Sequence, residues 1–120
     1  MDKKTVVLGA SEKSDRYSNM AVKKLAANNH SVIAIGNKEG FINDIKIIKD
    51  NPSVKDVDTV TLYLNPINQK PYYDYILQLN PKRIIFNPGT ENEELVKLAA
   101  AKGIKTMEAC TLVLLSTNQY

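Results

Sequence analysis

The sequence predicts an α/β fold in which a parallel sheet lies between two layers of helices. Two observations carry this. Short apolar runs rich in β-branched residues recur along the chain without strict polar alternation, as strands buried on both faces do. Stretches with helical spacing separate those runs, the pattern of repeated strand–helix–strand units. At 120 residues, residues 1–120 form one expected domain, long enough to bury its own core.

The first run, Thr5-Val6-Val7-Leu8, stops at Gly9-Ala10-Ser11. A helix is expected over about Asn19–Asn29, with Val22, Leu25 and Ala26 on one face and Ser18 or Asn19 suited to cap it. The second run is Ser31–Ile35. From Gly40 to Asp58 the pattern is least regular and reads as an irregular connection with one brief strand near Lys46–Lys49. The third run is Thr59–Leu64. Tyr72, Tyr75, Ile76 and Leu79 then recur at helical spacing, with Pro71 assigned to the first turn, where its missing N–H costs little. After the fourth run, Arg83–Phe86, Thr90 and Glu93 form a capping-box pattern ahead of Leu95, Leu98 and Ala99. Gly103 is placed to end that helix in a left-handed turn. A fifth run covers Ile104–Met107, and Ala109–Leu115 is the expected closing helix. Five parallel strands between helical layers make a Rossmann-type three-layer sandwich, and right-handed crossovers make 3-2-1-4-5 the expected strand order.

Composition excludes several classes. Apolar residues at 43% and charged residues at 24% do not suit a disordered tail, a collagen-like chain or a coiled coil. No apolar run approaches the ~18 residues of a membrane span, and the opening residues are too short of apolar character for a signal peptide. The single cysteine, Cys110, has no partner for an intramolecular disulfide or a structural zinc site. The expectation is a cytoplasmic protein. Net charge is +3, from 16 basic against 13 acidic residues, and no basic run indicates nucleic-acid binding.

In an open α/β sheet, ligands bind at the carboxyl ends of the strands. Gly9, Ala10 and Ser11 sit at the first such end, where a missing side chain lets backbone N–H groups approach a pyrophosphate and a following helix favours an anion. The same glycine equally serves a sharp turn. The three-glycine dinucleotide fingerprint is absent, since Ser11 and Ser14 stand where its second and third glycines would be. The second strand ends in Ile35-Gly36-Asn37-Lys38. Where NAD-binding domains place an acid, a lysine suits a ribose bearing an extra phosphate, as in NADP or coenzyme A, or is simply a solvated loop residue. Arg16 can clamp phosphate oxygens through its planar fork, and Tyr17 and Ser18 stand beside it. Asn65-Pro66 and Asn87-Pro88-Gly89 follow the third and fourth strands. No catalytic constellation is visible: His30 falls at the opposite end of the sheet, and Cys110 reads as a small packing residue.

Gly9-Ala10-Ser11 followed by Arg16-Tyr17-Ser18-Asn19 resembles the opening of the small stand-alone coenzyme A-binding proteins. These are similar to the coenzyme A-binding domain of the succinyl-CoA synthetase alpha subunit. Val57-Asp58-Thr59-Val60, Asn87-Pro88-Gly89-Thr90-Glu91-Asn92 and Glu108-Ala109-Cys110-Thr111-Leu112-Val113 extend the likeness over nearly the whole chain. The resemblance implies that Gly9, Ala10, Ser11 and Arg16 hold the ADP part of coenzyme A, and that Asn37 and Lys38 lie near its adenosine and 3′-phosphate. It implies further that Leu64, Asn65, Pro66, Asn87, Pro88 and Gly89 border the nucleotide and pantetheine. One departure is Gly36, where family members commonly carry a proline near the asparagine. The synthetases also use a phosphorylated histidine and further domains, which His30 does not match. The expectation is therefore a non-enzymatic domain that binds coenzyme A or acyl-CoA and can pass its ligand to a protein partner. The alternative is an NADP-binding reductase domain or subunit.

Overall fold

The computed structural model describes residues 2–120. Its centre is β1 (Thr5–Leu8), all four residues of which are buried. Side chains alternate across a strand, so Val6 and Leu8 face one apolar cluster and Val7 the other. That double burial is why this segment reads as an unbroken apolar run. Parallel neighbours lie on both sides: β2 (Val32–Ile35) pairs Val6 with Ile33, and β5 (Thr59–Leu62) pairs Val6 with Val60. Beyond β5 come β6 (Arg83–Phe86) and β7 (Lys105–Glu108), both parallel.

Between β2 and β5 lie two strands, β3 (Gly40–Ile42) and β4 (Ile45–Ile48), joined as an antiparallel hairpin across Asn43-Asp44. Asn43 takes a left-handed φ of 54°, a conformation asparagine tolerates in tight hairpin turns. β4 then pairs parallel with β2. The sheet has seven strands in the order β3-β4-β2-β1-β5-β6-β7, which corrects the expected five-stranded 3-2-1-4-5 arrangement. With antiparallel β3 set aside, β4 is the third parallel strand, and Thr59–Leu62 lies on the other side of β1. The expectation failed because β2 reaches β4 through a hairpin and β4 reaches β5 through residues 49–58 without a helix, so the usual strand–helix alternation breaks there. Val54 and Val57 of this connection cover the sheet face in a helix's place, and Tyr75 Oη donates to the Pro52 carbonyl at 2.6 Å.

One face of the sheet carries α1 (Tyr17–Ala27) and α5 (Thr111–Ser116), packed through Val22, Leu25 and Leu115. The other carries α2 (Pro66–Gln69), α3 (Tyr73–Leu79) and α4 (Glu93–Ala101), through Ile76, Leu79, Leu95 and Ala99. Pro71 lies in a 3₁₀ turn, Lys70–Tyr72, that joins α2 to α3, where its missing N–H breaks no α-helical bond. The expected capping box does not form. Thr90 Oγ1 donates to the Asn87 carbonyl, and Asn92 caps α4 by accepting from the N–H groups of Glu94 and Leu95. At the other end of α4, Gly103 has φ 74° and Ile104 N–H reaches back to Ala99 O at 3.0 Å, closing the helix as a Schellman turn. Leu98, expected inside, is partly exposed.

Candidate functional site

Strand order reverses between β1 and β5, and the crevice at their carboxyl ends is where an open α/β sheet binds ligands. A cleft of about 590 Å³ lies there, between the turn after β1 and the loops after β2 and β5. Gly9, Ala10, Ser11 and Arg16 line it, together with Asn37, Lys38, Leu64 and Asn65. A second cavity of about 280 Å³ shares Gly9, Ser11, Arg16, Leu64 and Asn65 with the first and adds Tyr17, Ser18, Pro88 and Gly89. The two form one bent groove with the glycine turn at its elbow. Of the fourteen residues the sequence nominated, twelve line this groove. Pro66 does not, and instead opens α2 behind Asn65.

Asn87 does not line the groove either. It is buried, and its side chain is a bracket: Nδ2 donates to Thr61 Oγ1 at 2.6 Å and Leu62 O at 2.9 Å, while Oδ1 accepts from Thr111 N–H at 2.9 Å. Its amide joins β5 to the start of α5, and it is the adjoining Pro88-Gly89-Thr90 that lines the groove.

Gly9 has φ 94°, and a Cβ there would stand 2.7 Å from the Tyr63 carbonyl oxygen. Its missing side chain therefore lets the turn pack on the end of β5. Gly36 plays the same part on the other side, since a Cβ would lie 2.4 Å from the Ala10 carbonyl oxygen. The two glycines draw three strand ends together and make the elbow narrow. Glu12, outside the lining, ties the turn to the sheet edge, its Oε2 accepting from Phe41 N–H at 2.9 Å.

The electrostatics of the groove are one-signed. Lys13, Arg16 and Lys38 line it, and no carboxylate does. None of the three has an ion-pair partner among the described residues, whose two ion pairs are Lys46–Glu39 and Arg83–Asp58. α1 begins at the groove with Arg16 as its N-cap, no side chain caps it, and its first turn holds no acid. The expected capping by Ser18 or Asn19 does not occur, because both lie inside the first turn; Asn19 Nδ2 instead donates to the Ser11 carbonyl at 2.9 Å. Open N–H groups and a helix dipole beside three free cations suit a multiply charged anion. Volume alone would not single this groove out. Another cavity of about 590 Å³ lies at the opposite edge of the sheet, but Asp2, Asp56 and Asp58 mix there with Lys4 and Lys82.

Sequence reasoning missed Lys13, Tyr63, Asn68, Tyr72 and Thr90, which also line the groove. Lys13 was legible as a cation four residues after the glycine turn. Tyr63 had no signal of its own. The residue borders both cavities and packs against the apolar cluster under α1 and α5, while its hydroxyl is buried without a hydrogen-bond partner, and burial pushes its pKa up to about 12. Cys110 is half-buried just before α5. His30 lies at the other end of the sheet, where its Nδ1 accepts from Lys3 N–H at 2.9 Å.

Comparison with known proteins identifies the fold and the family. A crystal structure of a protein described as uncharacterized is 47% identical, with a TM-score of 0.97, covering 100% of this chain and 99% of that one. A hypothetical protein from Pyrococcus horikoshii is 22% identical with a TM-score of 0.87, over 97% of this chain and 83% of its own. A conserved hypothetical protein from Pyrococcus furiosus is 23% identical with a TM-score of 0.81, over 92% of this chain and 97% of its own. At that identity the two archaeal structures share the fold. No curated protein matches the sequence. The family model described as CoA binding domain matches residues 3–116, and the chain belongs to that family.

Proposed function

We propose that this protein holds coenzyme A or an acyl-CoA in the bent groove and acts as a cytosolic binding protein without catalysis of its own. The observation that carries the reading is the set of three unpaired cations around an uncapped helix N-terminus, in a groove free of carboxylates. Coenzyme A has two clusters of negative charge, its pyrophosphate and its 3′-phosphate. The α1 N-terminus and Arg16 at the elbow suit the pyrophosphate. Asn37 and Lys38, at the end of β2, suit the adenosine and the ribose phosphate. The arm between Leu64 and Pro88-Gly89 accommodates the uncharged pantetheine.

Calorimetric titration with coenzyme A, dephospho-coenzyme A and NADP tests this. Coenzyme A is expected to bind tightest. A charge-assisted contact to the 3′-phosphate contributes on the order of 1.5–3 kcal/mol when shielded and less when exposed, so dephospho-coenzyme A should bind several-fold more weakly. NADP binding above coenzyme A would overturn the assignment and favour a reductase-type domain.

A further inference from the structure

Gln69 has no exposed surface, although it lies in a four-residue helix between the polar residues Asn68 and Lys70. Its amide fits one place. Nε2 donates to the Leu64 carbonyl at 2.7 Å and to the Thr90 carbonyl at 2.8 Å, and Oε1 accepts from Asn92 Nδ2 at 2.9 Å. Leu64 belongs to the loop after β5 and Thr90 to the loop after β6, and both residues line the second arm of the groove. One buried side chain thus bridges the backbones of the arm's two walls. Two carbonyl oxygens facing a common point require a neutral group with two N–H donors. A carboxylate has none to give, and a buried ammonium would carry an uncompensated charge. Asn92 fixes the amide from the other side and also accepts from the first amides of α4 through its Oδ1, so bridge and helix are set together.

We infer that Gln69 is a positioning residue for the pantetheine arm: it sets the distance between the Leu64 and Thr90 walls without touching the ligand. This rests on the coenzyme A reading and adds a separation to it. The nucleotide half of the site is built mainly from the ends of β1 and β2, which Gln69 does not bond; Leu64 borders both halves, whereas Thr90, the other end of the bridge, lines the second arm alone. Loosening the bridge should therefore weaken ligands that have a pantetheine and spare those that lack one.

The experiment compares coenzyme A with adenosine 3′,5′-bisphosphate, which keeps the ribose phosphates and has no pantetheine, on the parent protein and on Gln69→Met. Gln69→Met is expected to lower coenzyme A affinity about tenfold or more and to leave the bisphosphate within about twofold. Amide exchange in the absence of ligand should quicken at Asn65 and at Gly89–Thr90. Asn92→Asp keeps the oxygen that caps α4 but turns an acceptor towards Oε1, and it should shift the same ratio in a variant whose helix start is intact. It carries the test if Gln69→Met does not fold. An equal fall for both ligands, or an unchanged ratio in a folded variant, overturns the positioning role while the coenzyme A site stands. A parent protein that binds no coenzyme A overturns both.

Discussion

Replacing Gly9 by alanine separates two roles for this residue that predict different measurements. If the glycine only makes room for a phosphate, Gly9→Ala folds normally and binds poorly. The structure assigns it a folding role as well. Its φ of 94° lies where a residue with a Cβ is strained by about 1–3 kcal/mol. The added carbon would also stand 2.7 Å from the Tyr63 carbonyl oxygen and 3.0 Å from its carbon. These are backbone atoms of a buried sheet end, which cannot swing aside, and overpacking of this kind costs roughly 1–3 kcal/mol more. The sum, about 2–6 kcal/mol, is a large part of the ~5–15 kcal/mol that holds an ordinary domain together. Gly89 supplies the control. Its φ is 90°, yet nothing lies within 4 Å of where its Cβ would stand, so Gly89→Ala should cost the backbone strain alone.

Urea unfolding followed by circular dichroism measures both variants. With a slope of roughly 1–3 kcal/mol per molar urea, the Gly9→Ala midpoint should fall by about 1–3 M, and that of Gly89→Ala by clearly less. Equal midpoints for the two variants would refute the close approach to Tyr63. A parental midpoint for Gly9→Ala would refute the strain argument altogether and return the glycine to the ligand.

Three further outcomes rest on other parts of the structure. Lys38→Ala should bring coenzyme A and dephospho-coenzyme A to nearly equal affinity by calorimetry, with a loss for coenzyme A of up to about tenfold, because the lysine has no competing partner. Asn87→Ala removes three buried hydrogen bonds worth roughly 1 kcal/mol each and should lower the urea midpoint without removing any groove-lining side chain. Burial depresses the pKa of His30 below its ordinary 6.5, so the unfolded chain takes up the proton first as pH falls. Its contribution to stability is complete above about pH 6.5 and declines from there towards the depressed folded value, and His30→Gln should flatten the difference between urea midpoints on the two sides of that window.

The parts of the molecule that were legible in the sequence are those where a local pattern has a single reading. A parallel strand buried on both faces is rich in apolar and β-branched residues without strict polar alternation, which exposed β1, β5 and β6 as continuous runs ending at Gly9, Asn65 and Asn87. Those ends are also where open α/β sheets bind ligands, so most of the groove came with them. The hairpin of β3 and β4 was hidden because Ile42, Ile45 and Ile48 fit helical spacing as well as they fit two short strands. Nothing local distinguishes a three-residue strand from a bend. Pairing with β2 decides it, and that pairing is a long-range fact. The strand order followed: the brief strand expected near Lys46–Lys49 is β4, and its place beside β2 moves every later strand to the other side of β1.

Polar side chains divided in another way. Lys38 and Arg16 were legible because a cation at a strand or helix end has few structural uses, and both line the groove without a partner. Amides have many uses. Asn87 stands beside Pro88-Gly89 and reads as a ligand contact, yet its three hydrogen bonds are spent joining β5 to α5. Gln69 stands among polar residues on a short helix and reads as solvated, yet it bridges two loops of the groove. An amide carries both donors and acceptor, so it can face the ligand, cap a helix or replace water between backbones, and its residue type leaves the choice open. Only burial distinguishes these uses: an amide with every polar atom matched inside the protein has nothing left to offer a ligand. Asn87 and Gln69 both meet that condition, while Asn37 and Asn65 remain exposed at the groove. For this fold, the residues that shape the site and those that touch its ligand are therefore separated by where their hydrogen bonds go.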